Sequence, residues 1–290
     1  MADSRIRFEG RGELTALRVE TPHSECVIYP ENGAQVSSFV PAGFGDMLWV
    51  SSTSRYEKGT AIRGGVPICW PWFGPHPTDK SLPNHGFARA VEWRLDGVAL
   101  LEDGGVEVSM SLPPSERTRA MHPGDFRLEY VVTVGRSLEC VLTTTNLDGA
   151  PMPLTQALHT YFRVGDAREI EIDGFEGVEY IDTLDGYARK VQRGPITFSG
   201  NVDSVYVGSE GERVIRDLRN GRAIRVSKSG SASDVVWNPW DAKARDMSDF
   251  ADDEYLTMVC LETSNAFDDK RELAPGASHS LSAGFTVDRL

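Results

Sequence analysis

The sequence has little of what marks exported, membrane-spanning or disulfide-bonded proteins. No 18 apolar residues occur in a row, and the first residues contain no apolar signal core. The four cysteines, Cys26, Cys69, Cys140 and Cys260, stand far apart with no C-x-x-C pair. That spacing does not predict a structural zinc site. We therefore expect a cytoplasmic protein with reduced thiols.

Positive charge is also scarce. The chain of 290 residues has 30 Lys and Arg against 43 Asp and Glu, a net charge of −13. An acidic chain has no general positive field to attract phosphate backbones, so we expect no nucleic-acid partner. With no apolar span either, we expect no membrane partner. The 28 glycines and 16 prolines favour frequent turns and disfavour long helices.

The common nucleotide and hydrolase signatures are absent. The chain contains no G-x-x-x-x-G-K-[ST] loop, no G-x-G-x-x-G between a strand and a helix, and no H-E-x-x-H. It also lacks G-x-S-x-G, which excludes the usual serine-hydrolase elbow. Any functional residues are therefore expected in segments that match none of these signatures.

What is present is a hydrophobic period of two. Residues 127–134 and 137–145 predict a β-hairpin, and Asn220-Gly221 predicts a two-residue type I′ turn between two further strands. Short helices are predicted at 54–58, 114–121 and 242–250. Many antiparallel strands with short connections predict an all-β fold, a large antiparallel sandwich. Because no low-complexity linker occurs, we expect residues 1–290 to form a single domain.

Two glycine-punctuated segments carry candidate functional side chains. They are residues 63–76 (RGGVPICWPWFGPH) and 82–89 (LPNHGFAR). Rigid loops of this kind often hold functional groups, which here are Arg63, Asn84, His85 and Arg89. A packed loop with two surface arginines explains the same residues equally well. The aromatic residues Trp70, Trp72 and Phe73 fit core or rim packing better than a platform on which a sugar ring stacks.

Three further polar residues lie in or near predicted strands. His159 sits among β-forming residues, where a single histidine is usually a core residue with its hydrogen bonds satisfied. Glu262 lies at the end of an apolar strand, where burial would raise its pKa and suit it to act as a general base. Asp203 is interpreted first as a turn residue that accepts backbone N–H bonds.

Four motifs occur together in one order. They read RGGVPICWPWFG at 63–74, LPNHGFAR at 82–89, LHTYF at 158–162 and LETSN at 261–265. In these motifs the chain resembles the glucose-6-phosphate 1-epimerases, the hexose-6-phosphate mutarotases of the aldose 1-epimerase superfamily. The first two are specific to the phosphate-handling branch, and the others are shared with galactose mutarotase. The resemblance implies a galactose-mutarotase-like β-sandwich that interconverts α and β anomers with no cofactor and no metal.

The resemblance also implies roles for individual residues. His159 matches the catalytic histidine of the family, and Glu262 matches its catalytic glutamate. Arg63 and Arg89 match the arginines that hold the 6-phosphate. The residues that match contacts to the sugar itself are Asn84, His85 and Asp203. We accordingly expect a monomer whose partner is a small-molecule sugar phosphate.

The chemistry of anomerisation suits these residue types. A proton leaves the C1 hydroxyl while another reaches the ring oxygen, so one base and one acid are sufficient. A planar guanidinium binds two oxygens of a phosphate at once. Two other functions compete with this one: a free-aldose 1-epimerase, and a non-catalytic carbohydrate-binding sandwich. Paired arginines disfavour the first, because a neutral sugar gives them nothing to bind.

Overall fold

Alternating buried and exposed side chains form antiparallel strands along most of the chain. The computed structural model describes residues 4–290. Its strands are β1 (Arg5–Arg11), β2 (Leu14–Glu20), β3 (Ser24–Tyr29), β4 (Gln35–Pro41), β5 (Ile68–Cys69), β6 (Arg94–Leu100), β7 (Val106–Leu112), β8 (Phe126–Val134), β9 (Leu138–Asn146), β10 (Met152–Leu154), β11 (Gln156–Leu158), β12 (Tyr161–Arg163), β13 (Ile170–Asp173), β14 (Glu179–Asp182), β15 (Ala188–Val191), β16 (Val202–Val207), β17 (Arg213–Asp217), β18 (Arg222–Ser229), β19 (Ser233–Asn238), β20 (Met258–Asn265), β21 (Arg271–Leu273) and β22 (Ser278–Arg289).

Helices are few and short. They are α1 (Glu116–Met121), α2 (Trp240–Arg245) and the 3-10 segments Ala88–Ala90, Ala167–Glu169, Glu254–Thr257 and Phe267–Asp269. Within residues 4–290 none of them combines the length and the apolar character that a bilayer crossing would need.

Two eight-stranded sheets pack face to face. The first has the order β15-β14-β16-β19-β20-β11-β5, with β12 also paired to β20, and the second has the order β13-β17-β18-β22-β9-β8-β7-β6. Their facing side chains form one continuous apolar core, in which the rings of Phe162 and Phe285 meet edge to face 5.3 Å apart. A four-stranded sheet (β1–β4) and the pair β10–β21 complete the strands. The all-β sandwich with a few short helices is confirmed.

The two predicted turns have different outcomes. The β8–β9 hairpin is confirmed, with Val134 paired to Leu138 at its closed end. The type I′ turn is wrong, because β17 ends at Asp217 and four residues precede Arg222. The Asp217 carboxylate accepts hydrogen bonds from both the backbone N–H and the side-chain amide of Asn220, which stabilises the longer loop. In this loop Gly221 has a φ of +59°.

The helix predictions are corrected in part. Residues 54–58 form no helix, since the Ser54 hydroxyl donates to the Arg63 carbonyl and accepts from its N–H. Such side-chain bonds to the backbone compete with helix formation. In contrast, α1 lies within the predicted range and begins with a capping box between Ser115 and Thr118. The segment predicted at 242–250 is helical only in α2, which starts two residues earlier and ends at Arg245.

Strand β20 connects the core with the outer face of the first sheet. All eight of its residues are buried. Side chains alternate along a strand, so Val259 and Leu261 enter the core while Cys260 and Glu262 point to the opposite face. A carboxylate is thereby held on a rigid central strand and away from the apolar core.

Candidate active site

The outer face of the first sheet forms the floor of a cavity of about 510 Å³. Asp203 of β16, Trp237 of β19 and Glu262 of β20 line this floor, on the face opposite the core. The seven side chains singled out in the sequence all line this cavity: Arg63, Asn84, His85, Arg89, His159, Asp203 and Glu262. The fold thus brings together residues that are up to 199 positions apart in the chain.

His159 and Glu262 are neighbours on the cavity floor. Leu158 of β11 pairs with Thr263, and Tyr161 of β12 pairs with Cys260. His159 lies between these two pairs and therefore beside Glu262. His159 Nε2 lies 3.4 Å from Glu262 Oε1, and the two side chains are 8% and 1% exposed. The Tyr161 ring stacks on the imidazole, with centroids 4.8 Å apart and planes within 7°. The histidine therefore faces the cavity and is held by its neighbours.

Burial sets the protonation of this pair. It lowers the pKa of His159 well below its usual value, and nearby positive charge acts in the same direction. It also raises the pKa of Glu262 well above its usual value, aided by the Asp203 carboxylate and opposed by Arg89. Both shifts favour a neutral imidazole and a protonated carboxyl in the resting pair. Moving that one proton from Glu262 to His159 produces the base and the acid that anomerisation needs.

Arg63 is held at the cavity wall by two partners. Its Nε lies 3.1 Å from Asp249 Oδ2, and its Nη2 lies 3.0 Å from the same oxygen. Its Nη1 donates to the Tyr161 hydroxyl at 3.1 Å. Arg63 therefore supports the ring that stacks on His159, and Asp249 already neutralises much of its charge. Its role as a phosphate ligand remains a prediction.

Arg89 is in a different electrostatic position. Its Nη2 donates to the Asn84 carbonyl at 2.9 Å, and among residues 4–290 no carboxylate lies within ion-pair distance of it. Lys243 of α2 also lines the cavity and likewise has no carboxylate partner in the part of the chain that the structure describes. Arg89 and Lys243 are therefore available to pair with an anionic substrate.

The glycine-rich loops have strict backbone requirements. Gly64 and Gly65 have φ values of +123° and +64°, and a Cβ on either would collide with backbone atoms of Trp49 or Val36. Only glycine tolerates such an approach. His85 has a φ of +64°, which is uncommon for a side-chain-bearing residue and costs of order 1–3 kcal/mol. The packed-loop interpretation of these segments is therefore correct for the backbone, while their polar side chains still reach the cavity.

His85 contributes a neutral ring to the cavity wall. Its Nδ1 accepts a hydrogen bond from the Gly74 N–H at 3.3 Å, and its ring meets that of His159 edge to face at 5.6 Å. Burial, with help from Arg89 and Arg63, lowers the pKa of His85 to about 3. His85 therefore offers a neutral donor or acceptor to a sugar hydroxyl.

Asp203 is a strand residue, so its interpretation as a turn residue is wrong. It belongs to β16 and pairs with Trp237 of β19. Burial raises the pKa of its carboxyl, as does the neighbouring Asp182. On the cavity floor it lies where a hydroxyl-bearing ligand would meet it.

The aromatic residues of the first loop are divided between core and cavity. Trp70 is fully buried and donates from Nε1 to the Thr144 hydroxyl at 3.0 Å. Trp72 is also buried and donates to the Pro83 carbonyl at 2.9 Å. Phe73 lines the cavity. Core packing is thus confirmed for the two tryptophans.

An aromatic rim, which the sequence did not predict, borders the cavity. Tyr187 and Phe267 line the cavity mouth, are 62% and 38% exposed, and have ring centroids 6.2 Å apart. Both have positive φ values, +64° and +52°. Exposed aromatic side chains in strained backbone are typical of binding sites. Tyr187 lies in the turn between β14 and β15, and Phe267 begins the 3-10 segment Phe267–Asp269. No hydrophobic period marks either residue.

The four cysteines are free and buried. Cys260 lies next to the pair but does not line the cavity. His159, Cys260 and Glu262 each offer a ligand atom within 4.8 Å of the others. In the described residues this set is the group with the donors that a metal ion would need.

The profile of the aldose 1-epimerase family matches residues 15–286. The chain belongs to the aldose 1-epimerase family. Membership confirms the resemblance found in the four motifs and the enzyme class that they predict, a sugar epimerase.

Relatives in this family are similar over most of the chain. A protein of Escherichia coli K12 named "Putative glucose-6-phosphate 1-epimerase" is 36% identical over 268 residues, which are 92% of this chain and 88% of that protein. A protein of the same name from Cenchrus ciliaris is 37% identical and covers 84% of this chain and 76% of its own length.

Solved structures of aldose 1-epimerase relatives agree with the fold. The crystal structure of a "putative mutarotase" from Salmonella typhimurium has a TM-score of 0.92 and 33% identity, covering 98% of this chain and 94% of that one. A galactose mutarotase-like protein from Clostridium acetobutylicum has a TM-score of 0.72 at 14% identity, covering 99% of each chain. The galactose-mutarotase-like sandwich is confirmed.

Proposed function

We propose that the chain interconverts the α and β anomers of hexose 6-phosphates, with glucose 6-phosphate as its main substrate. The observation that carries this proposal is the His159–Glu262 contact of 3.4 Å on the floor of a cavity that Arg89 also lines. The names of the relatives from Escherichia coli and Cenchrus ciliaris support the same substrate.

The proposed mechanism uses two proton transfers. Glu262, once ionised, takes the proton of the C1 hydroxyl, while His159 gives a proton to the ring oxygen. The C1–O5 bond breaks and leaves an open-chain aldehyde. Rotation about C1–C2 and closure from the other face reverse both transfers. Because both oxygens are bonded to C1, the acid and the base have to be close together, as these two side chains are.

Charge supports a phosphorylated substrate. A phosphate monoester carries about −1.5 to −2 charges at pH 7, and a protein with a net charge of −13 would repel it in general. Arg89 and Lys243 offset that repulsion locally, because no carboxylate among residues 4–290 pairs with either. A neutral sugar would leave both cations without a counter-charge.

Two-dimensional exchange NMR tests the proposal directly. Anomer exchange of glucose 6-phosphate, galactose 6-phosphate and glucose is measured with and without the protein. We expect acceleration of the phosphorylated sugars well above that of glucose. Equal acceleration of all three would identify a free-aldose 1-epimerase. Binding without acceleration would identify a carbohydrate-binding sandwich.

The protonation of the pair predicts an unusual pH profile. We expect a bell-shaped rate on unphosphorylated glucose, with an acid limb from the lowered pKa of His159 and an alkaline limb from the raised pKa of Glu262. Between the two limbs the pair holds one proton, and a fixed fraction of the molecules carries that proton on His159 with Glu262 ionised. The rate is therefore constant over this pH range. Glucose is used because its rate lacks the phosphate titration near pH ~6. Exchange rates across the pH range provide the measurement.

With ordinary pKa values, the acid limb would report the carboxyl of Glu262 and the alkaline limb the imidazolium of His159. Here each residue controls the opposite limb. A rate that falls as pH rises through about 6.5, where an ordinary imidazolium loses its proton, would contradict it.

We also propose that Tyr187 and Phe267 contact the apolar face of the sugar. Tyr187→Asn is expected to raise KM roughly 2- to 10-fold while leaving kcat unchanged, because such ring contacts contribute about 0.5–1.5 kcal/mol. Asparagine is chosen since it tolerates positive φ, so the backbone gains no strain. Phe8→Ala is the matched control, because Phe8 is equally exposed, at 61%, but does not line the cavity. An unchanged KM in the Tyr187 variant would disprove the contact.

A further inference from the structure

A buried thiol lies next to the proposed catalytic pair, and the mechanism does not use it. Cys260 and Glu262 are two residues apart on β20 and point to the same face, toward His159. One ligand atom of each residue lies within 4.8 Å of the others, and all three residues are buried. Imidazole nitrogen, thiolate sulfur and carboxylate oxygen are the donors that Zn²⁺ and similar thiophilic ions prefer.

The distances suit such an ion. Tetrahedral zinc with the usual bond lengths places its ligand atoms about 3.3–3.6 Å apart. The 3.4 Å between His159 Nε2 and Glu262 Oε1 already fits one edge of that tetrahedron. The other two polar atoms of these side chains, His159 Nδ1 and Glu262 Oε2, have no hydrogen-bond partner among the described residues, so turning either side chain toward an ion would break no bond made by those atoms. Cys260 Sγ lies within 4.8 Å of the other two ligand atoms, and its approach to bonding distance would complete three ligands beside the cavity that His159 and Glu262 line.

We propose that His159, Cys260 and Glu262 form an inhibitory site for a thiophilic divalent cation such as Zn²⁺ or Cd²⁺. Bonds form from the ion to the imidazole nitrogen, the sulfur and a carboxylate oxygen, and the thiol and carboxyl protons leave to solvent. No oxidation or reduction occurs. The bound ion removes the acid and the base from the reaction together. Inhibition by the ion therefore rests on the proposed function, whereas binding of the ion does not.

Cys260 separates this site from the catalytic pair experimentally. Cys260→Ser removes the soft sulfur ligand and leaves His159 and Glu262 in place. Cys69→Ser is the matched control: Cys69 is equally buried, lies near Glu262, and is outside the three-residue set. Mg²⁺, which prefers oxygen ligands, serves as the control ion.

The test measures binding and activity on the same samples. Cd²⁺ is titrated into the wild-type chain and both variants while the near-ultraviolet sulfur-to-metal charge-transfer band is recorded. We expect the band in the wild type and in Cys69→Ser, and its loss in Cys260→Ser. Zn²⁺ should inhibit exchange in the first two and EDTA should restore it. Loss of an outer-shell partner typically lowers metal affinity ~10- to 100-fold. Loss of a direct ligand should have a larger effect, so the Zn²⁺ concentration for half-inhibition should rise by more than that factor in Cys260→Ser. Mg²⁺ should not inhibit.

Two results would overturn the inference. One is a charge-transfer band in Cys260→Ser as strong as in the wild type, and the other is equal zinc inhibition of all three proteins. If serine at this buried position prevents folding, Cys260→Ala provides the same comparison without a buried hydroxyl. Because the band requires no substrate, it tests the metal site even if the chain shows no mutarotase activity.

Discussion

Glu262→Gln is expected to slow anomer exchange about 10²- to 10⁴-fold, the usual contribution of a general acid or base. Glutamine keeps the shape of the side chain but cannot accept the C1 hydroxyl proton. His159→Gln should have an effect of the same size, because the ring oxygen then lacks its proton donor. Exchange NMR on glucose 6-phosphate, corrected for the uncatalysed rate, provides the measurement.

The double variant and one control sharpen this result. If the two side chains act as a unit, changing both should slow exchange little more than changing either. Cys260→Ser, on the same face of β20 without a role in proton transfer, should retain the wild-type rate in the absence of metal ions. Thermal unfolding of each variant shows whether the fold is intact. Folded variants of Glu262 and His159 with near wild-type rates would refute the assignment.

Arg89→Ala is expected to lower kcat/KM for glucose 6-phosphate by roughly 10- to 150-fold more than for glucose. Hydrogen bonds to a charged group contribute about 1.5–3 kcal/mol, and glucose has no phosphate to lose them. Arg89→Lys should recover only part of the loss, since an ammonium lacks the two-pronged geometry of a guanidinium. Higher salt should also reduce the rate on the phosphorylated sugar more.

Arg63→Ala is the informative comparison for this experiment. Arg63 pairs with Asp249 and donates to the Tyr161 hydroxyl, so its loss should disturb the ring that stacks on His159. We expect that variant to lose activity on both sugars, and a larger loss on glucose 6-phosphate than on glucose would show that Arg63 also binds the phosphate. If Arg89→Ala also slowed glucose and glucose 6-phosphate equally, the phosphate assignment would be wrong and the enzyme would act on free aldoses.

Local patterns in the sequence predicted much of the fold. The period of two located the β8–β9 hairpin, because alternation along a strand depends on near neighbours. The type I′ turn predicted at Asn220-Gly221 is wrong because the Asp217 carboxylate accepts two hydrogen bonds from Asn220. These bonds outweigh the preference of an Asn-Gly pair for the two-residue turn. Preferences of short segments give way wherever a specific hydrogen bond competes with them.

The candidate site was predictable in its residues but not in its electrostatics. The family resemblance pointed to seven side chains, six of them in the four motifs, that the fold gathers around one cavity. The partner of Arg63, however, lies 186 residues away and has no motif. The reversed order of the His159 and Glu262 pKa values depends on how deeply both are buried. Tyr187 and Lys243 line the cavity because of how turns and a short helix fold over it, which no local pattern encodes.

Strand β20 has a consequence for how this protein loses activity. It is hydrogen-bonded on one side to β19 and on the other to β11 and β12, and its eight residues are all buried. Amides in such a strand exchange with solvent only when the whole domain opens. Glu262 thus belongs to the last cooperative unit to unfold, whereas the β14–β15 turn that carries Tyr187 opens locally at little cost. Partial melting would therefore erode affinity for the sugar first, and the chemistry would persist until the sandwich itself is lost.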